Sequence, residues 1–165
     1  MLANISGAYD ENTIQRVIET HLDMIVRIAY QNTASMSDAE DVAQEVFIKF
    51  MRASAFCDDY HIKAWLIRVT INLCRDLKKS FWHKKTEPLT EEWPVFSDVH
   101  NQVMDEIRRL PLNYRNVIYL YYYEGYTIAE TANILGRKEN TVSSWLTRAK
   151  KRLRILILDG GNEHE

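Results

Sequence analysis

Apolar positions recur along much of the chain at steps of three and four residues, the spacing of one face of an α-helix. Between about Glu11 and Gln31 the set Ile14, Val17, Ile18, His21, Leu22, Ile25, Ile28 and Ala29 predicts a first amphipathic helix. Ser37 with Glu40 three residues on has the form of a capping box, so a second helix is expected to start there. Its apolar stripe is Val42, Val46, Phe47, Phe50 and Met51. After the loop SAFCDDYH, a third helix is expected to turn Trp65, Leu66, Val69, Leu73 and Leu77 inward. Arg68, Asn72, Arg75, Lys78 and Lys79 fall on its other face. Three helices sharing one apolar side can bury a small core, which makes residues 10–82 a first domain.

The periodicity fails over residues 83–98, where Pro88 and Pro94 sit in an acidic, Thr/Glu-rich stretch that reads as a linker. Helical spacing then returns at about Val99–Arg109, Leu112–Glu124, Thr127–Leu135 and Glu139–Leu156, giving a second domain over residues 99–158. Pro111 suits a helix start, where its missing N–H costs least. Gly125 and Gly136 fall where helix ends need left-handed backbone. The expected fold is all-α: two small helical domains joined by a short acidic linker.

Charge sharpens this picture, because a formal net charge of −2 conceals blocks of one sign. Residues 37–59 carry six acids against two bases, and residues 63–85 carry seven bases against Asp76 alone. Residues 86–106 hold six acids and no Lys or Arg, and Thr127–Arg154 then holds seven bases against two acids. A charge run is ordinarily a solvated face. Two basic blocks separated by an acidic stretch also suit a protein that touches a polyanion at two places.

The second basic block has internal form. A short helix, a turn at Gly136 and a longer helix from about Glu139 make a helix-turn-helix pattern. Ile128, Ala129, Ala132 and Leu135 are spaced to meet Val142, Trp145 and Leu146 across the crossing. Asn140, Ser143, Ser144, Thr147 and Arg148 are left outward, where base edges in a major groove could be read. Lys150, Lys151, Arg152 and Arg154 would attract phosphates without reading sequence. In the first domain, Asp41, Gln44 and Glu45 lie at i, i+3 and i+4 and share one helix face.

The run YRNVIYLYYYEGYTIAETANILGRKENTVSSWLTRAKKRLR resembles the carboxy-terminal DNA-binding domain of the sigma-70 family of bacterial RNA polymerase sigma factors. LuxR-type regulators share part of that pattern, and a free-standing LuxR-like helix-turn-helix regulator is the rival reading. DAEDVAQEVFIKFMRA resembles the polymerase-binding helix of sigma domain 2, and AWLIRVTINLCRDLKK the promoter-reading helix that follows it. Their order and separation resemble most closely the compact extracytoplasmic-function group. The resemblance implies a factor that binds core RNA polymerase and directs promoter-specific initiation through −10 and −35 contacts. It implies polymerase docking by Asp41, Gln44, Glu45 and Ile48 on a coiled coil of the β′ subunit. It implies −10 contacts by Phe56, Arg68, Asn72, Arg75 and Lys79, with Phe56 in the loop that walls a pocket for an unstacked base. Phe81 and Trp82 could stack there too, although closing the hydrophobic core is the favoured reading for them. It implies −35 contacts by Arg137, Lys138, Asn140, Ser143, Ser144, Thr147, Arg148 and Lys151. Ser143 and Trp145 stand where related proteins often carry a basic residue, which implies fewer phosphate contacts or a different base preference there. The β flap of the polymerase and an anti-sigma factor are further partners that the resemblance brings in.

Other classes fit poorly. There is no phosphate-cradling Gly loop, no HExxH and no recognisable Ser/His/Asp frame, so no enzyme is expected. Cys57 and Cys74 are isolated thiols without CxxC spacing, so neither a metal nor another cofactor is expected, and a reducing cytoplasm is the simplest setting. The start MLANISGAYDEN does not read as a secretion signal, and no apolar run approaches the ~20 residues needed to insert across a bilayer. The tyrosines at 119, 121, 122 and 123 read as helix packing.

Overall fold

A computed structural model describes residues 7–80 and 106–160. All regular structure among the described residues is helical, as the periodicity predicts. The chain divides into two compact units, Met1–Phe96 and Ser97–Glu165. The predicted linker, together with Phe81, Trp82 and the start of the helix expected at Val99–Arg109, lies outside the described residues; within that helix, residues 106–108 are helical.

The first unit holds α1 (Glu11–Thr33), α2 (Met36–Arg52) and α3 (Asp59–Ser80). Each of the three helices packs against the other two. Asp10 caps α1 by accepting the Thr13 N–H at 2.8 Å. Bonds from the Thr13 side chain and backbone hold the Asp10 carboxyl below its usual pKa. The helix ends at Ala34, whose left-handed φ of 56° lets its N–H bond back to the Tyr30 carbonyl. This reversal leaves only Ala34 and Ser35 between the two helices, so the cap of α2 falls on Ser35, which accepts the Asp38 N–H at 3.3 Å. The predicted Ser37 cap is therefore two residues late, and Ser37 lies within the first turn.

Val17, Ile25 and Ile28 of α1, Val46 and Phe50 of α2, and Leu66 and Ile67 of α3 are almost fully buried together. Leu22, expected on the inner face, is exposed. The inward stripe of α3 also departs from expectation. Ile62, Leu66, Ile67, Ile71 and Cys74 form it, while Trp65, Val69, Leu73 and Leu77 are half-buried along its flank. The run Ala64-Trp65-Leu66-Ile67 is apolar on two adjacent sides, and contact with both α1 and α2 selects one of them. Burial pushes the Cys74 thiol up to about 12, so it stays protonated and inert, whereas Cys57 is exposed.

The second unit holds α4 (Leu112–Ile118), which continues as a wider π-helical turn (Tyr119–Tyr123), then α5 (Ile128–Leu135) and α6 (Glu139–Gly160). Val117, Leu120, Ile134, Leu135, Val142 and Leu146 supply its core. Pro111 occupies the cap position of α4 rather than its first turn. Gly125 and Gly136 have φ of 75° and 63°, the left-handed backbone expected of them.

Ala34 is the non-glycine residue with positive φ among the described residues. A Cβ in the left-handed region costs roughly 1–2 kcal/mol. Ala34→Gly should therefore stabilise the first unit by about 0.5–1 kcal/mol and slow hydrogen exchange in α1 and α2 together.

Candidate functional site

Three exposed surfaces gather the predicted residues. On α2, Val42, Ala43, Val46 and Phe47 are buried, and this turns Asp41, Gln44 and Glu45 to solvent as one polar, acidic face. Ile48 is half-buried beside that face, and Glu45 stands 4.0 Å from Lys49. At this exposure the pair contributes little to stability, so Glu45 remains available to an outside cation.

The second surface belongs to α3 and the loop before it. Arg68, Asn72, Arg75 and Lys79 follow one another at steps of four, three and four, and all are exposed. Lys78 and Lys79 lie in the last turn, where cations are favoured by the helix dipole. The loop is shorter than expected, covering residues 53–58, because α3 already begins at Asp59. Asp58 closes it by accepting the His61 N–H at 2.9 Å and lying 2.7 Å from His61 Nδ1. That backbone bond, then the side-chain bond, lowers the Asp58 carboxyl pKa. Phe56 is half-buried between Phe50, at 6.3 Å between ring centroids, and Trp65, at 5.3 Å.

The third surface is the helix-turn-helix. Thr127 and Glu130 form the reciprocal capping box of α5: Thr127 accepts the Glu130 N–H at 3.2 Å, and Glu130 accepts the Thr127 N–H at 2.8 Å. Left-handed Gly136 lets the Arg137 N–H reach the Ala132 carbonyl at 2.9 Å and reverses the chain toward α6. Ala132, Thr131, Ile134 and Leu135 are buried in α5, with Val142, Leu146 and Ala149 in α6. Ala129, expected at the crossing, is exposed, and Trp145 is only half-buried. Asn140, Ser144, Thr147, Arg148 and Lys151 are exposed on α6, as are Arg137 and Lys138 at its start, while Ser143 is half-buried. The Thr147 hydroxyl donates to the Ser143 carbonyl at 3.0 Å, so it is tied to its own helix.

Cations on α6 divide into two sets that sequence reading did not separate. Lys150 lies 5.7 and 5.3 Å from the ring centres of Tyr121 and Tyr122, and Arg152 lies 5.5 Å from that of Tyr114. A hydrogen bond with Tyr122 raises the Lys150 pKa. Through cation–π contacts, Arg152 engages α4 and Lys150 the π-helical turn that continues it. Arg148, Lys151 and Arg154 are exposed. Arg137 lies 6.0 Å over Trp145. Of the tyrosines read as packing, Tyr119 is buried and donates to Glu124 at 2.8 Å, whereas Tyr122 and Tyr123 are exposed.

Among the described residues no cluster of His, Cys, Asp and Glu could hold a metal ion, and no helix is long and apolar enough to cross a membrane. Two family models match, one described as sigma-70 region 2 over residues 17–83 and one as sigma-70, region 4 over residues 100–153. The chain belongs to the extracytoplasmic-function group of the sigma-70 family of RNA polymerase sigma factors. The ECF RNA polymerase sigma factor SigM of Mycobacterium tuberculosis is 29% identical over 163 residues, covering 95% of this chain and 82% of SigM. The ECF sigma factor SigW of Bacillus subtilis is 27% identical, with 91% of each chain covered. In fold, the chain is similar to the sigma factor RpoE of Bartonella quintana, solved in complex with the anti-sigma factor NepR. The TM-score is 0.71 at 18% identity, covering 88% of this chain and 97% of RpoE. As an ECF sigma factor the protein directs promoter recognition by RNA polymerase and is not an enzyme.

The capping box and Gly136 together set the entry and exit of α5. Thr127→Ala should cost about 1 kcal/mol. The loss should appear as faster hydrogen exchange in α5 and α6 with no change in α1–α3.

Proposed function

We propose that the three surfaces carry three separate steps of initiation. The α2 face of Asp41, Gln44, Glu45 and Ile48 docks on the β′ coiled coil of core polymerase. Phe56 with the α3 row Arg68, Asn72, Arg75 and Lys79 captures the unpaired strand of the −10 element. Cations along α3 attract the backbone, Phe56 offers a stacking surface, and Asn72 offers a donor and an acceptor side by side to one base edge. The α6 face enters the major groove at −35. There Asn140, Ser144 and Arg148 read bases, with Ser143 and Thr147 beside them, and Arg137, Lys138 and Lys151 neutralise phosphates. Residues 10–82 thus serve the −10 element and residues 99–158 the −35 element. The observation that carries this reading is the division of exposed side chains by chemistry: an acidic face on α2 against basic rows on α3 and α6.

Two further partners follow. The exposed Tyr122, Tyr123, Ile155 and Leu158 offer apolar area to the polymerase β flap. An anti-sigma factor is a second candidate, in keeping with the complex solved for RpoE. Both roles belong in the cytoplasm, with the polymerase. The direct test is reconstitution: the chain and core polymerase should make start-specific RNA, and sequencing those transcripts should yield the −10 and −35 elements. Random start sites would overturn the reading.

Reversing charge at Asp41 and Glu45 should weaken core binding by ~2–5 kcal/mol if the partner cations are left buried and unpaired. Helical content should be unchanged, because both side chains are exposed. Core affinity equal to wild type would remove α2 as the docking face.

Duplex binding by α6 should fall steeply with salt, each phosphate contact adding roughly 0.9 to the slope of log affinity against log salt. Lys151→Met should flatten that slope by about one unit, whereas Lys150→Met should change it far less because Lys150 engages Tyr121 and Tyr122. Titration of promoter duplex across salt measures both.

A further inference from the structure

Tyr9 stands before α1, outside both matched family regions and at a position that sequence periodicity does not single out. Its hydroxyl oxygen accepts the backbone N–H of Phe56 at 2.6 Å, across 47 residues of sequence. Its ring stacks on Phe50 with centroids 5.0 Å apart and planes 21° from parallel. Phe50 is fully buried, and its other neighbour in the stack is Phe56, with planes 12° from parallel. Tyr9 therefore grips the loop of residues 53–58 by the backbone while resting on the same core ring as the loop's aromatic side chain.

The Phe56 ring also rests against Phe50 and Trp65, and further hydrogen bonds hold the ends of the loop. Ala53 bonds back to Phe50, and Asp58 caps α3. Arg16 pairs with Asp59 at 3.2 Å, but both side chains are largely exposed and the pair holds the start of α3 rather than the loop. Mid-loop, the Tyr9 hydroxyl sets how far the Phe56 backbone sits from the body of the domain. A ring offered to an unstacked base discriminates only if its position is held to a fraction of an ångström, because a displaced wall admits other bases.

We propose that Tyr9 is a positioning residue for −10 base selection: through the Phe56 N–H it fixes the loop that walls the base pocket. This rests on the reading of residues 53–58 given above. Tyr9 meets no nucleotide itself. Removing its hydroxyl leaves the part-buried Phe56 N–H without this partner and frees the loop to shift, while the ring of a phenylalanine still covers Phe50.

The test uses the full chain with core polymerase on promoters that differ at single −10 positions, starting from those found by transcript sequencing. The readout is the ratio of transcripts from the preferred and the disfavoured base. Tyr9→Phe should lower that ratio roughly three- to tenfold, the worth of one hydrogen bond. Core affinity, −35 duplex binding and hydrogen exchange in α1–α3 should stay at wild-type values. In a Phe56→Ala background, the same change at Tyr9 should have no further effect on the ratio, since both act through one wall. A shift with Phe56→Ala but none with Tyr9→Phe overturns the proposal and leaves the reading of the loop standing. Equal, additive effects of the two changes also overturn it. If neither change alters the ratio, the loop is not the −10 pocket, and both readings fall together. A general loss of activity on all promoters, with the ratio intact and exchange accelerated, would make Tyr9 a folding residue only.

Discussion

Burial of Phe50 is the interaction on which the first unit depends. The ring is completely excluded from water and lies at the junction of α2, the chain before α1 and the loop that leads to α3. Aromatic contacts of this kind contribute ~0.5–1.5 kcal/mol beyond the area they bury. One core residue thereby ties a surface loop to the interior. The polar face of α2 follows from the same packing: once Val42, Val46 and Phe50 are committed inward, Asp41, Gln44 and Glu45 can only face out.

The second unit is held by local backbone chemistry. A reciprocal capping box opens α5, and a left-handed glycine closes it within eight helical residues. A helix that short is not stable alone in water. Its burial of Thr131, Ala132, Ile134 and Leu135, with Val142 and Leu146 of α6 also buried, makes it persist. The turn geometry fixes where α6 starts, and therefore which of its side chains stay outside. The tyrosines of α4 and of the π-helical turn impose a further division, drawing Lys150 and Arg152 onto aromatic faces.

Electrostatics then act on a scaffold already decided by packing. The basic row of α3 is a continuous stripe because Arg68, Asn72, Arg75 and Lys79 match the helical repeat. Charged groups this exposed add little to stability. The buried thiol of Cys74, raised by desolvation, and the exposed Cys57 show the same principle in a different group: environment, not residue type, sets reactivity.

The sequence by itself determined the helical class, the break into two helical groups, the outward rows of α2, α3 and α6, and the need for glycine at positions 125 and 136. These are properties of period, cap and backbone freedom, each carried within a few residues. Tertiary structure decided what neighbours must choose between. It selected Ile62, Ile67 and Ile71 over Trp65, Val69 and Leu73 as the inner stripe of α3, because apolar residues occupied two adjacent faces. It moved the α2 cap from Ser37 to Ser35, because the reversal at Ala34 leaves two residues for the turn. It separated Lys150 and Arg152 from Lys151, a distinction that one run of cations cannot express. Above all it brought Tyr9 to Phe56, a contact with no local signature, since nothing in the residues around either one specifies the other.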